Sequence, residues 1–187
     1  MLEATLVLAG YVVGSAPFAY LVAHARGVDV LRVGTGNPGA ANVFRQVGPV
    51  AGVAVFALDA GKAALPVALA RVLGVSEWAA LLAGTAALVG HWYPVFLRFR
   101  GGAGIAPAIG IGLGALPVPA AIGLAVGGAA LVPLRSTGYA TGLGVVAFLI
   151  SALALGSGVP LTLAVAAQML LVVVRRYLLP FHKGGGT

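Results

Sequence analysis

Residues 161–174 read LTLAVAAQMLLVVV, an apolar run without a charge and without alternation. A strand of a membrane barrel alternates lipid-facing and lumen-facing residues, and a helix on a soluble domain carries a polar stripe. This run does neither, and LLAGTAALVG at 81–90 behaves the same way. Comparable stretches fill the chain on either side. Of its 187 residues 60 % are hydrophobic and 8 % are charged, against about 25 % charged in soluble domains. So few charges do not make a water-facing surface. The expected fold is all-α and integral to a membrane, a single polytopic domain over residues 1–187. No linker, heptad repeat or charged tail interrupts it, and HKGGGT at 182–187 reads as a loose end.

The apolar segment at 6–23 reads as the first span and not as a secretory signal. Glu3 is the only charge before it, and the chain stays apolar afterwards. Cysteine is absent, which excludes disulfides and thiolate metal sites. His24, His91 and His182 are too scattered for a metal cluster, so neither metal nor cofactor is expected.

Charge placement orients the spans. Arg26, Arg32 and Arg45 fall in the first polar interval, Arg98 and Arg100 in the second, and Arg135 in a third. Arg175, Arg176 and Lys183 lie near the C-terminus, while the junctions near 71–77, 116–119 and 156–160 are nearly free of basic residues. The positive-inside rule then puts the basic intervals in the cytoplasm, the N-terminus outside and the C-terminus inside, with about seven crossings. The net charge of +7 belongs to loops beside anionic lipid and does not mark a nucleic-acid surface.

Two spans are unusual. Between Gly104 and Arg135 there is room for two helices of roughly 14 residues, about 21 Å each, against a hydrocarbon core of about 30 Å. The RFRGGAG loop at 98–104 is therefore expected to dip below the surface, or the bilayer to thin there. The second span contains FALDAGKAALP at 56–66, where Asp59 and Lys62 are spaced to meet on one helix face. An ionisable pair at that depth marks either a functional site or a structural tie to the bundle. Gly-x-x-x-Gly spacings such as Gly110–Gly114 fit helix packing, and a chain this rich in glycine produces them by chance.

Three polar islands share the basic side. VGTGNPGAANVFRQVG at 33–48 follows GSAPFAYL, GHWYPVFLRFRGGAG occupies 90–104, and LRSTGYAT occupies 134–141. None contains a Walker loop, a Rossmann fingerprint or a nucleophile elbow. The glycines of the first island read first as a tight turn between helices and second as a nest of N–H groups for an anion. Arg45 lies across that turn from Arg32. His91, beside Trp92 and Tyr93, reads as an interfacial histidine in an aromatic belt or as a proton acceptor at the mouth of a site.

Together these islands resemble the acyl-phosphate-dependent glycerol-3-phosphate acyltransferases of bacterial membranes. The resemblance runs in order from GSAPFAYLVA through VGTGNPGAANVFRQVG and LDAGKAALP to GHWYPVFLRFRGGAG, covering roughly the first 115 residues, with matching topology afterwards. It implies a multi-pass protein of the bacterial cell (inner) membrane with about seven helices and an active site open to the cytoplasm. It also implies transfer of a fatty acyl group from acyl phosphate to the 1-hydroxyl of glycerol 3-phosphate, giving lysophosphatidate and phosphate, beside membrane lipid and without a cofactor. Such an enzyme holds two phosphates together and presents a hydroxyl to an activated carbonyl. Carried over by position, Gly34, Gly36, Asn37, Gly39 and Asn42 match the first motif as phosphate-binding residues, and Gly101, Gly102 and Gly104 the second. Thr35, Arg45 and His91 fall at catalytic positions, and Asp59 with Lys62 at a supporting intramembrane pair.

The chain departs from the family's pattern at several points. Thr35 stands for a serine, Ala41 for a threonine, and Ala103 for the lysine of GGKG. Gly138 falls where a serine is expected, with Ser136, Thr137 and Thr141 as neighbouring hydroxyls. RRYLLPFHKGGGT lacks the family's His/Asn/Glu motif, and Pro180 breaks the helix that would carry it. Arg100 or Arg98 is the expected substitute cation for the missing lysine. A lipid- or partner-binding homologue without turnover is the alternative these substitutions raise, and a small transporter stands third.

Overall fold

The computed structural model describes residues 1–178; the expected loose end, Pro180 and the remainder of the C-terminal stretch lie outside them. Within the described residues the chain forms nine α-helices and one 3-10 turn, with no strand. These are α1 (Leu2–Gly14), α2 (Phe18–His24), α3 (Ala40–Gln46), α4 (Pro49–Val72), α5 (Glu77–Trp92), α6 (Ile105–Ala115), α7 (Pro117–Leu134), α8 (Thr137–Ala154) and α9 (Val159–Leu178). Five segments are long and apolar enough to cross a membrane: α1 with α2, α4, α5 with its 3-10 extension, α7 and α8. Two shorter apolar helices, at Ile105–Ala115 and Val159–Arg175, complete the set.

The first segment is broken in the middle. Pro17 has no N–H to continue the helix, so α1 ends at Gly14 and α2 begins at Phe18. Between Gly104 and Arg135 the expected pair of equal short helices is instead uneven, 11 residues in α6 and 18 in α7. The reason is Pro117, which starts a new helix at its first position. The end of α6 is closed from outside. Arg71 of α4 donates through Nη1 to the carbonyls of Gly114 at 3.0 Å and Ala115 at 2.6 Å. A cation at a helix C-terminus meets both the dipole and the unpaired carbonyls.

The loop before α6 does turn inward. It folds back along the last turn of α5, with the amide of Gly102 donating to the His91 carbonyl at 3.2 Å and the Trp92 indole N–H to the Ala103 carbonyl at 3.0 Å. Gly104 holds a left-handed backbone (φ 97°), and a Cβ there would strike the side chains of Trp92 and Leu88. Irregular backbone at this depth is thus wrapped in protein.

Large apolar side chains such as Leu58, Leu65, Leu82, Leu153 and Leu163 face outward, as they do in a lipid-facing bundle. The interior is made of small residues, Ala63, Ala70, Ala83 and Ala87 among them. Packing therefore relies on close backbone approach. Gly10 and Gly14 of α1 sit against the carbonyls of Ala83 and Ala87 on α5, and Gly110 of α6 sits against the Ala60 carbonyl on α4. The Gly110–Gly114 spacing is a packing face after all. Helices α7 and α8 pack chiefly on each other and join the rest through α6 and α9.

Gly110→Ala is expected to cost about 1–3 kcal/mol, the usual range for overpacking, read as a lowered thermal midpoint in detergent. Gly142→Ala, where a Cβ meets open space, is expected to be neutral or stabilising by about 0.5–1 kcal/mol.

Candidate active site

The Gly-rich island is a loop braced from within. Gly34 takes a left-handed conformation (φ 58°), and Asn42 at the start of α3 is fully buried beneath it. Its Nδ2 donates to the carbonyls of Val30 and Val33, both at 3.1 Å, while its Oδ1 accepts from the Thr35 amide at 3.2 Å. All of these bonds hold the loop, so the side chain has turned away from any ligand. Thr35 Oγ1 accepts from the Asn37 amide at 3.4 Å, and Asn37 Oδ1 is buried without a partner among the described residues.

Helix α4 brings in the charged pair. Lys62 Nζ lies 2.8 Å from Asp59 Oδ1, and both side chains are almost fully buried. The ammonium also donates to the Ala16 carbonyl at 2.7 Å and lies 5.6 Å from the centre of the Phe18 ring. The pair thus ties α4 to the break between α1 and α2. His91 of α5 approaches from the other side, its Nδ1 3.7 Å from Asp59 Oδ1. With 5 % of its surface exposed, His91 is not the interfacial histidine of an aromatic belt. Its neighbour Tyr93 takes that exposed position.

Glycine at 102 makes room for the imidazole, since a Cβ there would fall 2.5 Å from His91 Nε2. Arg175 of α9 supports the same loop from behind. Its Nη1 donates to the Gly102 carbonyl at 3.2 Å, and the guanidinium lies over the rings of Trp92 at 4.9 Å and Tyr93 at 5.5 Å. Arg98 and Arg100 do not take this place. Arg98 and Phe99 adopt successive left-handed conformations (φ 51° and 63°) that turn the segment outward, leaving both arginines exposed and off the cavity wall. The cation at the loop comes from a helix distant in sequence, which no local motif announces.

A cavity of about 640 Å³ opens between α3 and α4 on one side and α7 and α8 on the other. Asn37, Gly39, Arg45, Asp59, His91 and Gly104 line it together, bringing residues from three separate stretches of sequence to one wall. Arg135, Thr137 and Thr141 join them from the third polar island; only the threonines had a sequence signal, as hydroxyls near the expected serine. Gly34, Thr35, Gly36 and Asn42 stand behind the wall as part of the loop's frame. Gly101 and Gly102 face a separate hollow of about 10 Å³ that also touches Asp59, Lys62 and His91. Helix α6 begins at the cavity, with residues 104–107 on its wall and no side chain capping its first turn. Unpaired N–H groups and the positive dipole end suit an anion. Away from this polar end the wall is apolar, with Leu124, Val145, Phe148 and Met169.

The bundle and its cavity define a class: multi-pass α-helical membrane proteins with a cleft that is cationic at one end and apolar along the rest of its wall. The profile of the glycerol-3-phosphate acyltransferase family matches residues 4–179, and the chain belongs to that family. A glycerol-3-phosphate acyltransferase of Rubrobacter xylanophilus is 49 % identical over 124 residues, 66 % of this chain and 62 % of the relative. Glycerol-3-phosphate acyltransferase 4 of Dehalococcoides mccartyi is 46 % identical over 120 residues, 64 % of this chain and 52 % of the relative. The matched stretch therefore spans between half and two thirds of these relatives. Among solved structures, PlsY (YgiH), an integral membrane glycerol 3-phosphate acyltransferase, superimposes in its lysophosphatidic acid form with a TM-score of 0.83. That match has 30 % identity and covers 94 % of this chain and 88 % of the other. The glycerol 3-phosphate form gives 0.80 and 30 %, covering 99 % and 96 %.

Removing one member of the buried pair leaves the other charge uncompensated, which costs about 3–5 kcal/mol. Asp59→Leu and Lys62→Met are each expected to lose that much in thermal or denaturant unfolding. The double variant should lose clearly less than the two losses added together.

Proposed function

We propose that this protein transfers a fatty acyl group from acyl phosphate to the 1-hydroxyl of glycerol 3-phosphate. The observation that carries the reading is a single cavity whose polar end gathers Arg45, Asn37, His91 and Arg135 and whose other end is apolar. Family membership and the likeness to PlsY in its glycerol 3-phosphate and lysophosphatidic acid forms support it.

In this reading the hydroxyl oxygen attacks the acyl carbonyl, the bond from that carbon to the phosphate oxygen breaks, and phosphate leaves carrying the proton. The protein's contribution is to hold two anions at reacting distance and to stabilise the charge that develops between them. Arg45, the Asn37 side-chain amide and the Ile105 and Ala106 amides of α6 hold the phosphates, with Gly39 beside them on the wall. His91, beside Asp59 and with room for its ring left by Gly102, bonds the acceptor hydroxyl or takes its proton. Thr35, Gly34, Gly36 and Asn42 shape the first phosphate site without touching the ligand, and Gly101 and Gly102 shape the second.

The active site faces the cytoplasm in a chain that crosses about seven times, N-terminus outside. The clustering of Arg45, Arg135 and Arg175 at the cavity end supports this orientation, with Glu3 and Ser76 meeting elsewhere at 3.5 Å.

The test is direct. The full chain in liposomes, given acyl phosphate and labelled glycerol 3-phosphate, is expected to release labelled lysophosphatidate and one equivalent of phosphate; rates equal to those of protein-free liposomes would end the proposal. Arg45→Ala is expected to lower kcat/KM by about thirtyfold or more, since losing a charged contact to a bound anion costs about 2 kcal/mol or more. An unchanged rate removes Arg45 from the phosphate site. Ala103→Lys adds a cation to the cavity wall and is expected to lower KM for the phosphorylated substrates.

A further inference from the structure

The cavity changes character along its length. Its polar end lies at Arg45, His91 and Arg135, and beyond it Gly123, Gly127, Ala140 and Gly144 line the wall where α7 and α8 pack closely on each other. About three turns further along α8 from Thr137, the cavity meets Phe148. This is the largest of the fully buried side chains, 1 % exposed. Met169 of α9 and Ala120 of α7 stand beside it, both buried and both on the cavity wall.

Neighbouring helices pack directly against these residues. A Cβ on Gly112 of α6 would fall 2.8 Å from Met169 Cε and 3.2 Å from Ala120 Cβ. On the α7 side, a Cβ on Gly123 would fall 2.6 Å from the Gly144 carbonyl oxygen and 3.0 Å from Phe148 Cβ. The helices close on one another at this level. A side chain buried this fully yields little, because protein interiors are close-packed and resist compression.

We infer that Phe148, with Met169 and Ala120, forms the floor of a channel for an aliphatic tail and sets the longest tail the protein accepts. The inference rests on the proposed function for the chemistry of the ligand, and adds the determinant of its length. One further route exists. Val53 and Leu131 on the cavity rim are exposed at 62 % and 43 %, and a tail that left past them would lie in the bilayer and meet no limit. The two routes give opposite length dependences.

The experiment uses the full chain in nanodiscs and a series of n-alkyl phosphates from dodecyl to icosyl, competing against a fluorescent alkyl phosphate. Wild-type affinity is expected to rise with tail length and then to fall by about tenfold at the first tail that overruns the floor, since a misfitted methylene in an apolar pocket shifts discrimination by roughly 10–200-fold. Phe148→Ala moves that limit to longer tails, and Phe148→Leu moves it less if the alanine variant folds poorly. Val145→Phe, one turn nearer the polar end on the same wall, moves it to shorter tails. Affinity that rises without a limit, or one limit shared by all variants, overturns the proposal. Acyl transfer measured in the same nanodiscs decides the activity separately. Absent turnover together with a limit that follows Phe148 counts against the activity and supports the floor.

Discussion

A backbone inside hydrocarbon must satisfy its own polar groups, because no water is there to do so. The structure can be read as three answers to that constraint. Where Pro17 interrupts the first segment, the carbonyl of Ala16 receives Lys62. Where α6 stops short, the carbonyls of Gly114 and Ala115 receive Arg71. Where the loop dips in at Gly101–Gly104, its carbonyls receive Arg175 and the Trp92 indole. Each break in a helix is closed by a side chain from a neighbouring helix, and three of these closers are cations.

The breaks create the site as well as burdening the fold. Closing the loop's carbonyls from behind leaves the first turn of α6 to face the cavity with its N–H groups uncapped. The broken first segment provides the carbonyl that anchors Lys62, and Lys62 in turn holds Asp59 beside His91. Small residues complete the arrangement. Gly102 leaves space for the imidazole, and Gly110 lets α6 lie directly on α4. The polar end of the cavity is therefore braced by the packing of its own frame.

Much of this was legible in the sequence, for physical reasons. Apolar runs without alternation fix the helical class, and the i, i+3 spacing of Asp59 and Lys62 fixes their contact, because both are local properties of the chain. The glycine-rich island and its arginine do reach the cavity, with Asn37, Gly39 and Arg45 on its wall. What escaped were interactions that depend on distant helices. Arg175 reads locally as part of a basic end and Arg71 as a junction residue, although each reaches a carbonyl more than forty positions away. Arg100 is the expected substitute for the missing lysine, yet two consecutive left-handed residues, Arg98 and Phe99, point its segment outward. Asn42 has the composition of a ligand contact, and only the three-dimensional loop reveals that its amide is fully occupied. The split of 104–135 into unequal helices followed from Pro117, a residue whose effect is local but whose weight against simple length was misjudged.

The placement of the few acids has a consequence for how anions reach the site. Asp59 is matched by Lys62 and Asp29 by Arg32, while Glu3 and Glu77 lie at the starts of α1 and α5. Arg45 and Arg135 at the cavity rim therefore face solution with no carboxylate bridged to them among the described residues. Unopposed positive charge at the entrance of a low-dielectric cleft focuses field lines outward and draws in dianions from beyond contact range. The range of that attraction is the Debye length, about 8 Å at physiological ionic strength, so the field at the entrance is governed by salt even where contacts deeper in the cleft are not.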